Sequence, residues 1–299
     1  MKNIIDMAIV KLSRHRQHRL KRTLFFNTVL LIMSFLFLSG VDLYAQGNLL
    51  ITPRRVVFDG STRSVDLNLA NTGEDSATYA VSIIQIRMTE EGQFETISDP
   101  DPGQRFADPF IRYFPRSVSL APGEAQVIKV QVTRRSQLQE GEYRSHFYFR
   151  AVPEVKPLGE EPAEEVSEGI SVQLRPVFGI TIPVIIRIGE PDLSVTLSEP
   201  ELTMANGNSP RLQITFMRSG NMSVYGNLKV DHISPSGNVT TVAIANGIAV
   251  YTPNEKRKFT LNLLRSGEVD YTEGKLKITY SAPSDVEPEI FAETELALE

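Results

Sequence analysis

The sequence predicts an all-β protein: two immunoglobulin-like β-sandwich domains in tandem after a signal peptide. Three observations carry this reading. From Gln46 onward the chain is a succession of short segments of alternating apolar and polar residues, separated by Gly, Pro and Asn turn signals. No stretch there sustains a helical period. The strand-and-turn grammar of the first half recurs in the second half in the same order. With 299 residues, 41% apolar and 22% charged, the chain has ordinary globular composition. At about 100–200 residues per domain it holds one to three domains.

The first 45 residues read as a leader. "KLSRHRQHRLKR" is a basic n-region, "LFFNTVLLIMSFLFL" an apolar h-region, and Ala45 a small residue at a plausible cleavage point. The alternative is an uncleaved N-terminal anchor, although the apolar run is shorter than the roughly 20 residues of a membrane span. The expected location is the periplasm. Without the leader the chain keeps 24 Lys+Arg against 34 Asp+Glu, a net charge near −10. An acidic exported chain without a basic stripe is not expected to bind nucleic acid. The absence of cysteine excludes disulfides, Cys-based zinc sites and a lipid-modified N-terminus.

The elements follow in order. "ITPRRVVFDG" is a strand and turn with two adjacent arginines, Arg54 and Arg55, whose side chains must face opposite ways. "SVDLNLANTG" sets Val65, Leu67 and Leu69 on one face. "TYAVSIIQIRM" alternates through Tyr79, Val81, Ile83 and Gln85, with Ile84 and Ile86 on the other side. "RSVSLAPGEAQVIKVQV" is two runs hinged at Ala121, Pro122 and Gly123, and "EYRSHFYFRAVP" follows. In the second half "ITFMRSGNMSVYGNLKV" parallels "LNLANTGEDSATYAVSI", "YTPNEKRKFTLNL" parallels "LAPGEAQVIKVQV", and "EGKLKITYSAP" parallels "GEYRSHFYFRAVP". Three matches in one order predict two copies of a seven-stranded sandwich. The expected domains are 46–188 and 189–299, with the junction at "RIGEPD", residues 187–192.

Two segments depart from this grammar. Residues 154–169 carry six glutamates and one lysine among Pro and Gly, the composition of a solvated loop. After them every even position is apolar from Ile170 through Val172, Leu174, Pro176, Phe178, Ile180, Ile182, Val184 and Ile186 to Ile188. Such a row is longer than the usual five or six residues of a strand. Either it is one long core strand, or part of it lies on an edge and serves β-strand addition to another chain.

Catalytic constellations are missing. Past the leader there are only two histidines, His146 and His232, one in each half, and no HExxH, GxSxG, phosphate loop or EF-hand pattern. An enzyme, a cofactor, a metal and a small-molecule substrate are therefore not expected.

Several of these stretches resemble the periplasmic pilus-assembly chaperones of the PapD type. "RRVVFDG" is similar to that family's opening strand, "LNLANTG" to its second strand, "FPRSVSLAPGEAQVIKV" to its Pro-Gly hinged pair, and "GEYRSHFYF" to its Arg-Glu-Ser-x-Phe strand. The resemblance implies a protein that binds subunits of a pilus or other surface structure by donating a strand, with an outer-membrane usher as a further partner. It implies donor contacts at Leu174, Pro176 and Phe178, extended by Ile170 and Val172. It also implies that the subunit's C-terminal carboxylate is held between the domains, with the family's arginine falling on Arg55. The companion lysine of the family falls on Pro183. The family's interdomain ion network implies an Arg187–Asp270 pair, and its glutamate near "YRSHF" aligns with Arg144. The alternative is a structural or adhesive two-sandwich protein within a surface assembly, with the alternating row buried in its own core.

Overall fold

The computed structural model describes residues 49–153, 177–205, 209–265, 269–284 and 286–298. The expected leader 1–45 and the acidic segment 154–169 lie outside the described residues, and so do Ile170, Val172, Leu174 and Pro176. The first sandwich is built from β1 (Leu49–Thr52), β2 (Val56–Phe58), β3 (Ser64–Asn71), β4 (Ala77–Ile84), β5 (Ile86–Met88), β6 (Phe94–Thr96), β7 (Ile111–Phe114), β8 (Ser117–Leu120), β9 (Ala125–Val132), β10 (Gly141–Val152) and β11 (Gly179–Ile188). The second is built from β12 (Leu193–Ala205), β13 (Ser209–Gly220), β14 (Val224–Ile233), β15 (Val239–Val250), β16 (Lys256–Asn262), β17 (Lys275–Ser281) and β18 (Ile290–Ala297).

Period-two burial builds each sandwich. In the first, sheets ordered β1-β3-β9-β7 and β2-β11-β10-β4-β8 face each other. Leu67 and Leu69 of β3, Ile128 and Val130 of β9, Phe147 and Phe149 of β10, and Val184 and Ile186 of β11 meet in one core. In the second, sheets β12-β13-β16 and β15-β14-β17-β18 enclose Leu212, Ile214 and Phe216 against Leu228, Val230, Ile278 and Tyr280. The repeated stretches occupy equivalent places. β3 pairs with β9 as β13 pairs with β16, and β4 pairs with β10 as β14 pairs with β17.

Among the described residues the second sandwich has the seven strands expected, whereas the first has more. Its opening segment is divided: β1 pairs with β3 in one sheet and β2 with β11 in the other. Pro53 lies at the division, where a residue without an N–H cannot extend a ladder. "TYAVSIIQIRM" is likewise two strands rather than one. At Gln85 the chain leaves the sheet, and β5 pairs with β6 as a separate hairpin. The Gln85 side chain accepts a hydrogen bond from Ser145 Oγ at 2.8 Å, and its carbonyl accepts from Ile97 N–H at 3.0 Å. This hairpin reaches the second sandwich: Met88 is buried in that core, and Asn254 Nδ2 donates to Met88 O at 2.7 Å.

The described part of the long alternating row divides along its length. Ile182, Val184 and Ile186 belong to the sandwich's own core, whereas Phe178, ahead of β11, is 48% exposed. At the hinge between β8 and β9, Gly123 takes φ +72°, which favours glycine, and Ala121 N–H donates to Glu124 Oε2 at 2.8 Å.

Candidate functional site

The larger sheet of the first sandwich turns its outer face to the second. The odd residues of β10, Phe147 and Phe149, fill the core, so alternation places Glu142, Arg144 and His146 on the outer face. On β11 the outer residues are Pro183, Ile185 and Arg187. Cross-strand register sets them in rows: Glu142 opposite Arg187, Arg144 opposite Ile185, and His146 opposite Pro183. Val57 of β2 stands beside Ile185 and packs against the core of the second sandwich, and Arg55 lies in the bend just before β2. The second sandwich contributes Ser223 and Tyr225 from the start of β14, with Tyr251 and Thr252 just after β15.

Glu142 joins the two bodies. Its side chain is fully buried, and the carboxylate accepts from Arg187 Nε at 3.1 Å, Ser223 N–H at 3.0 Å, Thr252 Oγ1 at 3.2 Å and the Ser223 hydroxyl. Arg187 Nη2 in turn donates to Ser223 O at 2.7 Å. Arg144, 2% exposed, donates to Ile86 O at 3.1 Å and to Thr252 O at 3.3 Å, and its guanidinium lies 4.4 Å over the Tyr251 ring.

This arrangement corrects two expectations. Arg187 pairs with Glu142, not with Asp270, because Glu142 lies directly across the ladder from it. Asp270 is exposed in a turn, and its carboxylate accepts the N–H and hydroxyl of Thr272 at 2.9 and 2.6 Å, the nearest donors to a short side chain in a turn. The glutamate expected at Arg144 is present two positions earlier, and a shift of two keeps a strand residue on the same face. Sequence reasoning missed Glu142. The available signal was the run Glu142, Arg144, His146, polar at every second position of a strand whose intervening residues are mostly aromatic.

The two adjacent arginines differ, although both lie in the bend between β1 and β2 and not in the strand expected. Arg54 is exposed, whereas Arg55 lies against the second sandwich, its guanidinium 3.9 Å over the Tyr225 ring. Arg55 Nε is buried without a hydrogen-bond partner, and no ion pair engages this side chain among the described residues. Burial pushes the guanidinium below its usual pKa range; Arg187 adds to the shift, while Tyr251, Tyr225 and Glu142 oppose it.

Next to this group lies the strand edge of β11. Only residues 184–186 pair with β2, so no strand covers the outer edge of 179–183 among the described residues. Ala151 N–H donates to Phe178 O at 3.1 Å, which turns the backbone groups of even residues toward β10 and those of Gly179 and Thr181 outward. Pro183 falls in the outward set, where its missing N–H costs no bond to β10.

His146 is 4% exposed, its Nδ1 has no partner, and its ring meets Phe94 at 6.1 Å and Tyr251 at 6.2 Å between centroids. Burial, with a contribution from Arg144, lowers its pKa to about 3. The folded chain thus keeps His146 neutral while an unfolded chain protonates it below about pH 6.5. Stability should therefore fall on acidification from pH 6.5 toward 3, by at most about 1.4 kcal/mol per pH unit from this residue. Urea unfolding of His146→Leu across that window checks the sign: the variant's pH slope should be shallower than that of the unaltered chain.

These observations define a two-sandwich protein with a polar, aromatic-lined junction beside an open strand edge. No protein-family model matches the chain, and no curated protein matches it in sequence. Among solved structures it is similar to the YadV chaperone, with 14% identity, 84% of this chain and 100% of that chain covered, and a TM-score of 0.42. It is similar also to the CupB2 chaperone of Pseudomonas aeruginosa, with 14% identity, 84% and 100% coverage and a TM-score of 0.41. The class 5 fimbriae chaperone CfaA gives 14%, 84% and 99%, with a TM-score of 0.38. The site's own geometry, not this likeness, bears on what the protein binds.

Proposed function

We propose that this protein is a periplasmic chaperone-like protein that binds a subunit of a pilus or other surface structure by donating the edge of β11 and the residues leading into it. The partner's backbone pairs with the outward groups of Gly179 and Thr181, Phe178 enters an apolar groove of the partner, and Arg55 takes the partner's C-terminal carboxylate. The observation that carries this reading is Arg55 itself. A guanidinium held by stacking, with no ion pair among the described residues and set beside an unpaired strand edge, is ready for a bidentate carboxylate. The donor contacts expected at Ile170, Val172, Leu174 and Pro176 are part of the same proposal.

The second reading is a structural or adhesive two-sandwich protein. Burial of Ile182, Val184 and Ile186 in the chain's own core favours it for that part of the row. The discriminating experiment isolates the mature chain from periplasm and identifies and quantifies a co-purifying surface subunit. Arg55→Ala should lower the recovered subunit by roughly tenfold, the scale of one lost charge-assisted contact, and Phe178→Glu should lower it at least as much, because it sets an unpaired carboxylate in an apolar groove. Arg54→Ala should leave recovery unchanged. Equal effects of the two arginine substitutions, or full recovery with Phe178→Glu, would reject strand donation at this site.

A further inference from the structure

We propose that Tyr148 is a specificity-determining residue of the strand-donation site: its hydroxyl, carried across Gly179 to the open edge of β11, hydrogen-bonds a hydroxyl-bearing side chain of the added strand. This rests on the strand-donation reading and names the chemistry of one side chain that the partner presents. On β10 Phe147 and Phe149 fill the core, so Tyr148 between them stands on the outer face. It lies opposite Thr181, and Gly179 is its diagonal neighbour on that face. Gly179 does not take a positive φ, so its backbone does not call for glycine. The space above it does. A Cβ added there would overlap Cε2 of the Tyr148 ring and fall 2.6 Å from both Cζ and the hydroxyl oxygen.

The far end of the ring, not its base, thus occupies the place of the missing side chain. Tyr148 reaches from β10 over β11, and β11 is the last strand of the sheet at this level, because β2 pairs with it only over residues 184–186. Among the described residues no hydrogen bond engages the Tyr148 hydroxyl, and the side chain is half-buried. A phenolic hydroxyl both donates and accepts. A strand added at this edge sets the Cβ opposite Gly179 about 5 Å from the point where a Cβ of Gly179 would stand. The hydroxyl already sits at that point, so a Ser or Thr on the added strand reaches it, whereas a Val of similar shape leaves it unpaired. An aromatic ring over a strand glycine also serves structure alone. The hydroxyl separates the two roles, since a Phe ring would cover Gly179 equally well.

The test titrates the full mature chain calorimetrically with two short peptides, one alternating Val and Thr and one with Val in place of every Thr, each ending in lysines for solubility. The quantity read is the ratio of their association constants. Tyr148→Phe should lower that ratio roughly fivefold, the scale of one neutral hydrogen bond, with the affinity for the all-Val peptide unchanged. Gly179→Ala, whose Cβ displaces the hydroxyl, should lower it likewise, and the two substitutions together should lower it no further. An unchanged ratio in Tyr148→Phe, with both peptides still bound, would reduce Tyr148 to a cover for Gly179; its role in recognition would be overturned and strand donation left standing. Failure of the unaltered chain to bind either peptide would overturn both.

Discussion

Glu142→Ala is expected to lower the unfolding free energy by about 3–5 kcal/mol, the usual cost of removing one partner from a buried ion pair. The carboxylate has no exposed surface, and its loss strands Arg187 Nε, the Ser223 N–H and hydroxyl, and the Thr252 hydroxyl together. Ser223 and Thr252 belong to the second sandwich and Arg187 to the first, so the loss falls on the bond between the two bodies. Chemical denaturation should show the lower stability, and calorimetry should resolve two thermal transitions where the unaltered chain shows more cooperative unfolding. Arg187→Ala should cost less, since its side chain is 26% exposed and water replaces part of what is lost. An Arg187→Ala cost equal to that of Glu142→Ala would reject the carboxylate as the centre of the junction.

Phe147→Ala should cost a comparable amount, about 3–5 kcal/mol, but by a different route. Phe147 has no exposed surface, and its ring stands edge-on to Tyr113 at 5.1 Å and tilted to Phe149 at 6.2 Å. Truncation leaves a cavity between the two sheets and removes the aromatic pair. The residue is next to His146 in sequence yet points the opposite way, so the binding face is untouched. Its effect should therefore appear in the urea midpoint and not in the surface subunit recovered per folded protein. Arg55→Ala should show the reverse, a change in affinity with little change in midpoint. If Phe147→Ala lowered the subunit recovered per folded protein, the separation of the two faces would be wrong.

The period-two pattern made most of the fold legible. Leu67 and Leu69 on one face, the Pro-Gly hinge at 121–123, and the recurrence of three stretches are local properties of a strand or a turn, and local sequence specifies them. The breaks in the opening segment and at Gln85 were not legible. Each depends on which neighbouring strand offers a ladder, and the β5–β6 hairpin owes its place to Met88 entering the core of the other sandwich. For the site, the contrast between Arg54 and Arg55 was expected from a strand, yet it arises in the bend between β1 and β2, and the resemblance pointed to Asp270 for a pairing that the structure gives to Glu142.

By itself the sequence determined the all-β class, the repeat of one strand grammar, and which face of each strand is apolar, because side-chain alternation is a property of a single strand. Only the tertiary structure decided that Glu142 reaches Arg187, that Arg55 lies on Tyr225, and that His146 lies across the ladder from Pro183. Those relations join residues up to 170 positions apart across strands and between sandwiches. They are set by ladder register and by the docking of two bodies, and neither leaves a periodic trace in one chain.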